Sequence, residues 1–360
     1  MIRSKCGPLH VRVKIAYCGV CGTDIHEYLG GPVLIPQVGF SNPHTGLSLP
    51  VTMGHEMSGT VVEVGSGVTA VTVGQKCVIN PTVDDRHHGH EPCRGCRDGK
   101  PNICKHWACY GLCAAGGGLA DEIVVDYHSV IPLPDGIPLK TAALVEPLAV
   151  ACHMIRVSGF EKGDKVLVIG AGPIGLALLL LLKGLGAAMV LVSELSASRM
   201  QKARDFGADA VIDPTTKVDG QHQNGVLQYI DENTDGGVDL SFDATGLQVT
   251  LDTAIAATRP GGTIFNVAIH EKPLTIDPNA LTMFEKRYMG GLCYTDDDFF
   301  TVLGELASGR LKPDAMITSV VSLENAVEGA FLELINNKEN HVKILVQPQV
   351  HDRSSTLSLL

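Results

Sequence analysis

The chain reads as α/β, a doubly wound parallel sheet in its central part joined to a second, mainly β region. Three observations predict this. A strand, glycine turn, helix, strand and terminal acid follow one another between Lys165 and Glu194. Strand-length apolar runs then alternate with helical stretches as far as Leu292. The opening segment instead carries short alternating runs, His10 to Ile15 and Thr60 to Gly65. At 360 residues the chain is long enough for two domains and a large core.

In the central unit, Val166-Leu167-Val168-Ile169 has the length and apolarity of a buried strand. Gly170-Ala171-Gly172-Pro173-Ile174-Gly175 follows, and Leu176 to Leu182 reads as helix. Gly170 permits a tight turn, Gly172 lets backbone approach a pyrophosphate, and Gly175 lets helix and strand pack closely. Pro173 suits a first helical turn, where its missing N–H costs nothing. The free N–H groups there, with the helix dipole, favour a phosphate. Met189-Val190-Leu191-Val192 is the second strand and ends at Ser193-Glu194. Glu194, 24 residues after Gly170, stands where an acid accepts hydrogen bonds from the adenosine ribose. Its charge repels a 2′-phosphate, which assigns NAD rather than NADP. Arg199, one helical turn on, is either an adenine cover or a solvated helix charge. The apolar helix is shorter than the roughly 20 residues a membrane span needs.

Four further strands are expected at Ala210 to Ile212, Val238 to Phe242, Gly262 to Val267 and Tyr288 to Leu292, with Leu247 to Ala257 among the intervening helices. With the first two they make six, the number in a full doubly wound sheet. Asp243 to Gly246 and Pro260 to Gly262 are strand-end turns. Thr141 to Ser158 reads as a helix broken at Pro147 that carries the chain between domains.

Apolar content of 45% and charged content of 19% are those of a globular enzyme, and the net charge of −11 argues against nucleic-acid or anionic-membrane partners. No export signal or transmembrane run is visible, and Ser358-Leu359-Leu360 is not a peroxisomal tripeptide, so a cytoplasmic protein is expected. Eleven cysteines, an odd number, then suit metal ligation better than disulfides.

Candidate ligands fall into two groups. Cys21, Asp24 and His26 lie within six residues, and His55-Glu56 precedes a strand. A catalytic zinc takes three protein ligands of these types and keeps one position open. Residues 29–50 read as a Gly-, Pro- and Ser-rich loop, with His44 solvated. In the second group Cys93-x-x-Cys96 and Cys104 match a structural zinc pattern lacking one ligand, and His90 stands three residues before Cys93 at the spacing a first ligand should have. The alternative is three thiols on a loop that has lost its metal. Cys109 and Cys113 are reserve ligands, whereas Cys6, Cys18, Cys77, Cys152 and Cys293 read as small core residues.

Taken together, these pieces resemble the zinc-dependent medium-chain dehydrogenase/reductase family over nearly the whole chain, and most of all its 2,3-butanediol (acetoin) dehydrogenase branch. The residues that carry the likeness are Cys21-Gly22-Thr23-Asp24-Ile25-His26-Glu27-Tyr28 with Gly31-Pro32, then Gly54-His55-Glu56-Met57-Ser58-Gly59, and Leu144-Val145-Glu146-Pro147-Leu148. The resemblance implies a Rossmann domain at 149–292 and a GroES-like catalytic domain at 1–148 and 293–360. It implies a catalytic zinc on Cys21, His55 and Glu146, with Glu56 as a nearby carboxylate that can touch the metal. Asp24 would orient His55, and Thr23 and His26 match the family's proton relay. The backbone near Val267 would hold the nicotinamide carboxamide, and Lys343 resembles the pyrophosphate-contacting base. The implied activity is hydride transfer between NAD and a vicinal diol or hydroxyketone, with another polyol (sorbitol, xylitol) or L-threonine as alternative substrate. A non-catalytic NAD-binding structural protein is the alternative from another class. A homodimer or homotetramer is implied as well. The chain departs from the family in two places. His90 stands for the first of four lobe cysteines, and Gly7-Pro8 comes almost at once, which predicts an uncovered edge on the catalytic sheet.

Overall fold

The computed structural model describes residues 5–216, 224–270 and 272–348; the carboxy-terminal tripeptide lies outside them. The chain forms two compact units, one of Met1–Glu146 with Ile317–Leu360 and one of Pro147–Met316.

The first unit is built on strands β1 (His10–Gly19), β2 (Glu56–Val64), β3 (Lys76–Ile79), β4 (Thr82–Val83), β5 (Ala108–Cys109), β6 (Glu122–Asp126) and β7 (Val130–Pro132). The second holds β8 (Lys165–Ile169), β9 (Met189–Ser193), β10 (Ala210–Ile212), β11 (Val238–Asp243), β12 (Thr258–Asn266) and β13 (Arg287–Gly290). The chain then returns to the first unit with β14 (Ile317–Ser322) and β15 (Lys343–Gln347).

The large sheet of the first unit runs β14-β15-β1-β2-β3-β7, and β6 also pairs with β1. Strand β1 is its spine. It alternates as the sequence suggests, with Val11, Val13 and Ile15 buried, and pairs antiparallel with β2 along its length. On its other side it pairs with β6 at one end and β15 at the other. The uncovered edge expected here therefore does not fall on β1. Arg12, also buried, ties three strands together by reaching Glu63 on β2 (2.7 Å) and Glu122 on β6 (3.5 Å). Strands β4 and β5 form a separate two-stranded ribbon.

The second unit matches the sequence reading closely. Its six strands are all parallel, in the order β10-β9-β8-β11-β12-β13. Relabelled from β8, that is 3-2-1-4-5-6, the doubly wound order. The buried runs 166–169 of β8 and 190–192 of β9 are continuous Val, Leu and Ile, as strands covered on both sides must be, whereas β11 buries Ser241 and Asp243 beside Leu240 and Phe242. Helix α6 (Pro173–Leu185) follows β8 directly, with Pro173 at its start and Gly186 closing it in the left-handed conformation.

Two boundaries differ from expectation. The helix expected from Thr141 is two pieces, α4 (Leu139–Ala142) and α5 (Val145–Ser158), so the break precedes Pro147. Pro147 sits in the first turn of α5, where no intrahelical N–H bond is lost. The return crossing lies at 316/317 rather than 292/293. Residues 296–307 form a helix whose Asp298 is fastened to α5: it accepts from His153 Nδ1 (2.8 Å) and Arg156 Nε (2.8 Å). The backbone and hydroxyl of Thr295 also donate to it, at 2.8 and 2.9 Å. Among the described residues no helix is long and apolar enough to cross a membrane.

Burial pushes the Asp298 carboxyl towards protonation, but the donors from His153, Arg156 and Thr295 outweigh it and hold its pKa well below the usual carboxylate range. A carboxylate depressed on folding stabilises above its unfolded pKa of about 4 and loses that contribution as pH falls through its folded value. Asp298→Asn is therefore expected to cost about 3 kcal/mol at pH 7, since it leaves buried donors mismatched. Urea unfolding at pH 7 and pH 3 checks this: the difference between variant and parent should shrink at the lower pH.

Candidate functional site

The first candidate site lies where β1, β2 and β15 meet. Gly19 at the end of β1 is opposite Glu56 on β2 and Leu345 on β15. That register sets Glu56 beside Lys343, whose buried ammonium contacts Glu56 Oε1 (2.6 Å) and the Val20 carbonyl (3.2 Å). Gly19 is required here, because a Cβ would collide with Glu56 Oε2.

Cys21 follows as the N-cap of helix α1 (Gly22–Gly30), and its N–H donates to Asp24 Oδ2 (2.9 Å). The other oxygen of Asp24 lies 3.5 Å from His55 Nδ1. Asp24 thus braces both the cysteine and the histidine, the supporting role expected of it. Burial opposes protonation of His55, but the Asp24 carboxylate more than offsets it and raises the imidazole's basicity well above normal. Thr23 Oγ1 is 3.7 Å from Cys21 Sγ. His26, exposed, sits one turn further along α1.

The ligand atoms of Cys21, His55 and Glu56 all lie within 4.8 Å of one another. Two observations fit this set to a divalent cation. A thiolate, an imidazole and a carboxylate are the donor types zinc takes. Glu56 Oε2 is buried without a hydrogen-bond partner among the described residues, a cost that a cation removes. Glu146, expected as the third ligand, is buried near enough for its charge to act on Lys343 but stands outside this set. Glu56 takes its place in the convergent trio. Lys343, expected at a pyrophosphate, is instead fully buried against Glu56. Burial works against its charge, but Glu56, Cys21 and Glu146 overcome that and raise its pKa.

The cysteine lobe hangs between β4 and β5. Helix α2 (Asp85–His88) is capped by Asp84, which also holds Arg86 (2.7 Å), and ends at Gly89 in the left-handed conformation. Helix α3 (Arg94–Arg97) and the turn Pro101–Ile103 carry the cysteines. Cys93, Cys96 and Cys104 converge as the spacing suggests, but the fourth residue among them is Asp85. His90 lies instead with His106 and Asp85, its Nδ1 3.4 Å from His106 Nδ1, and its ring stacks on His88. His90, just beyond the left-handed Gly89, is exposed and lies outside the group formed by the three thiols. The lobe also fits zinc: Cys93 and Cys104 sulfurs are 3.9 Å apart, close to the edge of a tetrahedron with Zn–S near 2.3 Å. The N–H groups of Lys105 and His106 point at those two sulfurs, at 3.4 and 3.3 Å, and favour thiolates. Cys109 and Cys113 are not in this group; both are buried in the core of the first unit, with Cys18 and Cys77. Cys152 is also buried, whereas Cys6 and Cys293 are half-buried; none of the eleven forms a disulfide.

In the second unit the glycine turn has the expected form. Gly170 has φ +98°, and a Cβ on Gly175 would strike the Gly170 carbonyl. A Cβ on Gly172 would meet nothing within 4 Å, so the backbone there is open to a ligand, at the start of α6 with Pro173 and Ile174. Glu194 closes β9: one carboxylate oxygen accepts from Ala171 N (2.8 Å), the other from Leu195 N (2.8 Å) and Ser196 N (2.9 Å). A cavity of about 630 Å³ opens beside it, lined by Gly170, Glu194, Thr215, Asn224, Thr245 and Thr250 among others. Of these, Thr215, Asn224 and Thr250 carry no local motif. Val267 follows β12, its N–H on the Asp243 carbonyl (2.9 Å). Arg199 lies in the helix after Glu194, outside the cavity lining.

Comparison with known proteins fits this geometry. Residues 7–135 match the alcohol dehydrogenase GroES-like domain and residues 173–308 the zinc-binding dehydrogenase domain. The chain is 38% identical to (R,R)-butanediol dehydrogenase of Saccharomyces cerevisiae, over 95% of this chain and 92% of that one. It is 31% identical to a probable D-xylulose reductase A of Neosartorya fischeri, over 91% and 87%. The crystal structure of 2R,3R-butanediol dehydrogenase from Bacillus subtilis superposes with a TM-score of 0.88 at 39% identity, covering 97% of this chain and 95% of that one. With a zinc-type donor set in one unit and a dinucleotide-type turn in the other, the chain belongs to the zinc-binding medium-chain alcohol dehydrogenases.

Proposed function

We propose that this protein is an NAD-dependent zinc dehydrogenase that interconverts a vicinal diol and its hydroxyketone, with 2,3-butanediol and acetoin as the pair. The observation that carries the reading is the convergence of Cys21, His55 and Glu56 on one point, braced by Asp24 and Lys343. Near-complete coverage of butanediol dehydrogenases at 38–39% identity supports the substrate. The lower identity to a D-xylulose reductase supports a longer polyol less well. A non-catalytic NAD-binding protein would have no use for a buried donor set with an unpartnered carboxylate oxygen.

Bound at this site, zinc would supply a Lewis acid that lowers the pKa of a coordinated hydroxyl, as it lowers bound water from about 15.7 to about 7, and the nicotinamide would supply the hydride acceptor. The chain supplies position and field. Cys21 and His55 hold the metal, with Glu56 and Glu146 as the carboxylates at hand. Thr23 would take the hydroxyl proton as it gives up its own, which would pass by way of the cofactor ribose to His26, exposed one helical turn along α1, and from there to solvent. Glu27 shapes the substrate side, its carboxylate accepting from the N–H groups of Val33 (2.9 Å), Leu34 and Ile35 (3.4 Å) and so fixing the start of the 29–50 loop. Gly170, Gly172 and Gly175 hold the pyrophosphate turn, Glu194 takes the adenosine ribose, and the backbone at Val267 takes the carboxamide. A second zinc in the cysteine lobe is structural. Eleven cysteines without a disulfide suit a reducing cytoplasm. A homodimer or homotetramer is the expected assembly.

NADH oxidation with acetoin, against xylulose and 2-amino-3-ketobutyrate, tests the substrate; faster turnover of either competitor would replace butanediol. Cys21→Ser should remove about one zinc per chain and lower turnover at least about 100-fold. Full turnover by a zinc-depleted variant would defeat the scheme. Glu194→Ala should raise KM for NAD about tenfold and shift kcat/KM towards NADP by a similar factor, roughly 1.4 kcal/mol each. An NADP preference in the unmutated protein would contradict the assignment.

A further inference from the structure

We infer that Asp85, and not His90, is the fourth ligand of the cysteine-lobe metal, so that the lobe is a three-thiolate, one-carboxylate centre. The inference rests on the reading of that lobe as a zinc site. Asp85 is 1% exposed, and a carboxylate oxygen lies within 4.8 Å of the sulfurs of Cys93, Cys96 and Cys104, which lie within the same distance of one another. The carboxylate is held by the Cys93 N–H and His106 beside three thiols, and thiolates there would add like charge that a divalent cation offsets. A divalent ion turns the same cluster into a complete tetrahedron.

The carboxylate is held by two hydrogen bonds, one to each oxygen. Cys93 N donates to Oδ2 (2.7 Å), and His106 Nδ1 contacts Oδ1 (2.6 Å). These fix the group without using all its lone pairs, of which a carboxylate has about four. His106 has a second bond to the centre, since its own N–H points at Cys104 Sγ (3.3 Å). One residue thus supports two ligands from outside, as partners of metal ligands do.

His90 has the sequence spacing of a ligand but not the place. Its backbone N–H closes the α2 turn on the Asp85 carbonyl (3.0 Å). Its side chain is exposed and packs on His106 (ring centroids 4.7 Å apart) and His88 (5.3 Å). The histidine that stands in the expected position therefore covers the Asp85–His106 pair, and the ligand comes from five residues earlier in the chain.

Metal analysis of the full-length protein, with alkylation of its thiols followed by mass spectrometry, tests this apart from turnover. The unmutated chain should carry two zinc ions, with Cys93, Cys96 and Cys104 protected. Asp85→Ala should leave one zinc and expose those three thiols, while His90→Ala keeps two zinc ions and the protection. Because Asp85→Ala could unfold the lobe, Asp85→Cys provides a gain. It should retain two metals, and sulfur-to-metal absorption of the cobalt-loaded protein should rise by about a quarter as four thiolates, counting Cys21, become five. Loss of the second zinc in His90→Ala, or unchanged cobalt absorption in Asp85→Cys, would overturn the assignment of Asp85. A single zinc in the unmutated chain, with the lobe thiols freely alkylated, would instead overturn the zinc reading of the lobe itself.

Discussion

The first unit is organised by the cost of burying negative charge. Asp24 and Glu56 are fully buried and Glu146 nearly so, with one buried ammonium, Lys343, among them. Carboxylates do not remain charged in such a place without compensation. Part of it comes from Lys343, part from backbone N–H groups and the imidazole of His55, and the remainder is the role of a divalent cation. The sheet is what makes the arrangement possible. The end of β1 lies between β2 and β15, so residues nearly 300 positions apart in the chain share one hydrogen-bonding register. Gly19 is the point where that register leaves room for a carboxylate, and any side chain there would displace Glu56.

The second unit solves an unrelated problem, the binding of a doubly charged phosphate group by backbone alone. Its solution is local. The turn from Gly170 to Gly175 places free N–H groups at the start of α6, and Glu194 ties the turn to the end of β9 by accepting from Ala171 N. The same carboxylate that would select the ribose therefore also sets the shape of the loop before any ligand arrives. Selectivity and preorganisation are coupled in one side chain, because both need an acceptor at the end of the second strand.

This contrast decides what could be read from residues alone. The second unit was legible almost strand for strand, since β8 and β9, buried on both faces, are unbroken apolar runs and the phosphate turn between them is contiguous. In the first unit Cys21, Asp24, His55 and Glu56 were legible as donor types next to a strand and a helix start. Lys343 was legible as a charge, yet its partner was not, because a strand register that joins residues 56 and 343 leaves no local pattern. The helix break was misplaced for a simpler reason: proline is tolerated in a first turn, so Pro147 marks a helix beginning and not an interruption.

In the lobe, sequence spacing and geometry point to different donors. Metal-ligand motifs are periodic because short loops return their residues to one point, and His90 satisfied that periodicity. Gly89 is left-handed, and His90 just beyond it is exposed and lies outside the thiol group. Asp85, in the preceding helical turn, is then the donor on the inner face. The Asp84-Asp85 pair held the available clue, since two adjacent acids at a helix start cannot both point to solvent when the helix packs on a ribbon. Asp84 caps the helix and binds Arg86, and Asp85 is left facing the thiols. Burial beside three thiols is what marks Asp85 as the donor here, and the exposed His90 at the conventional offset lacks it.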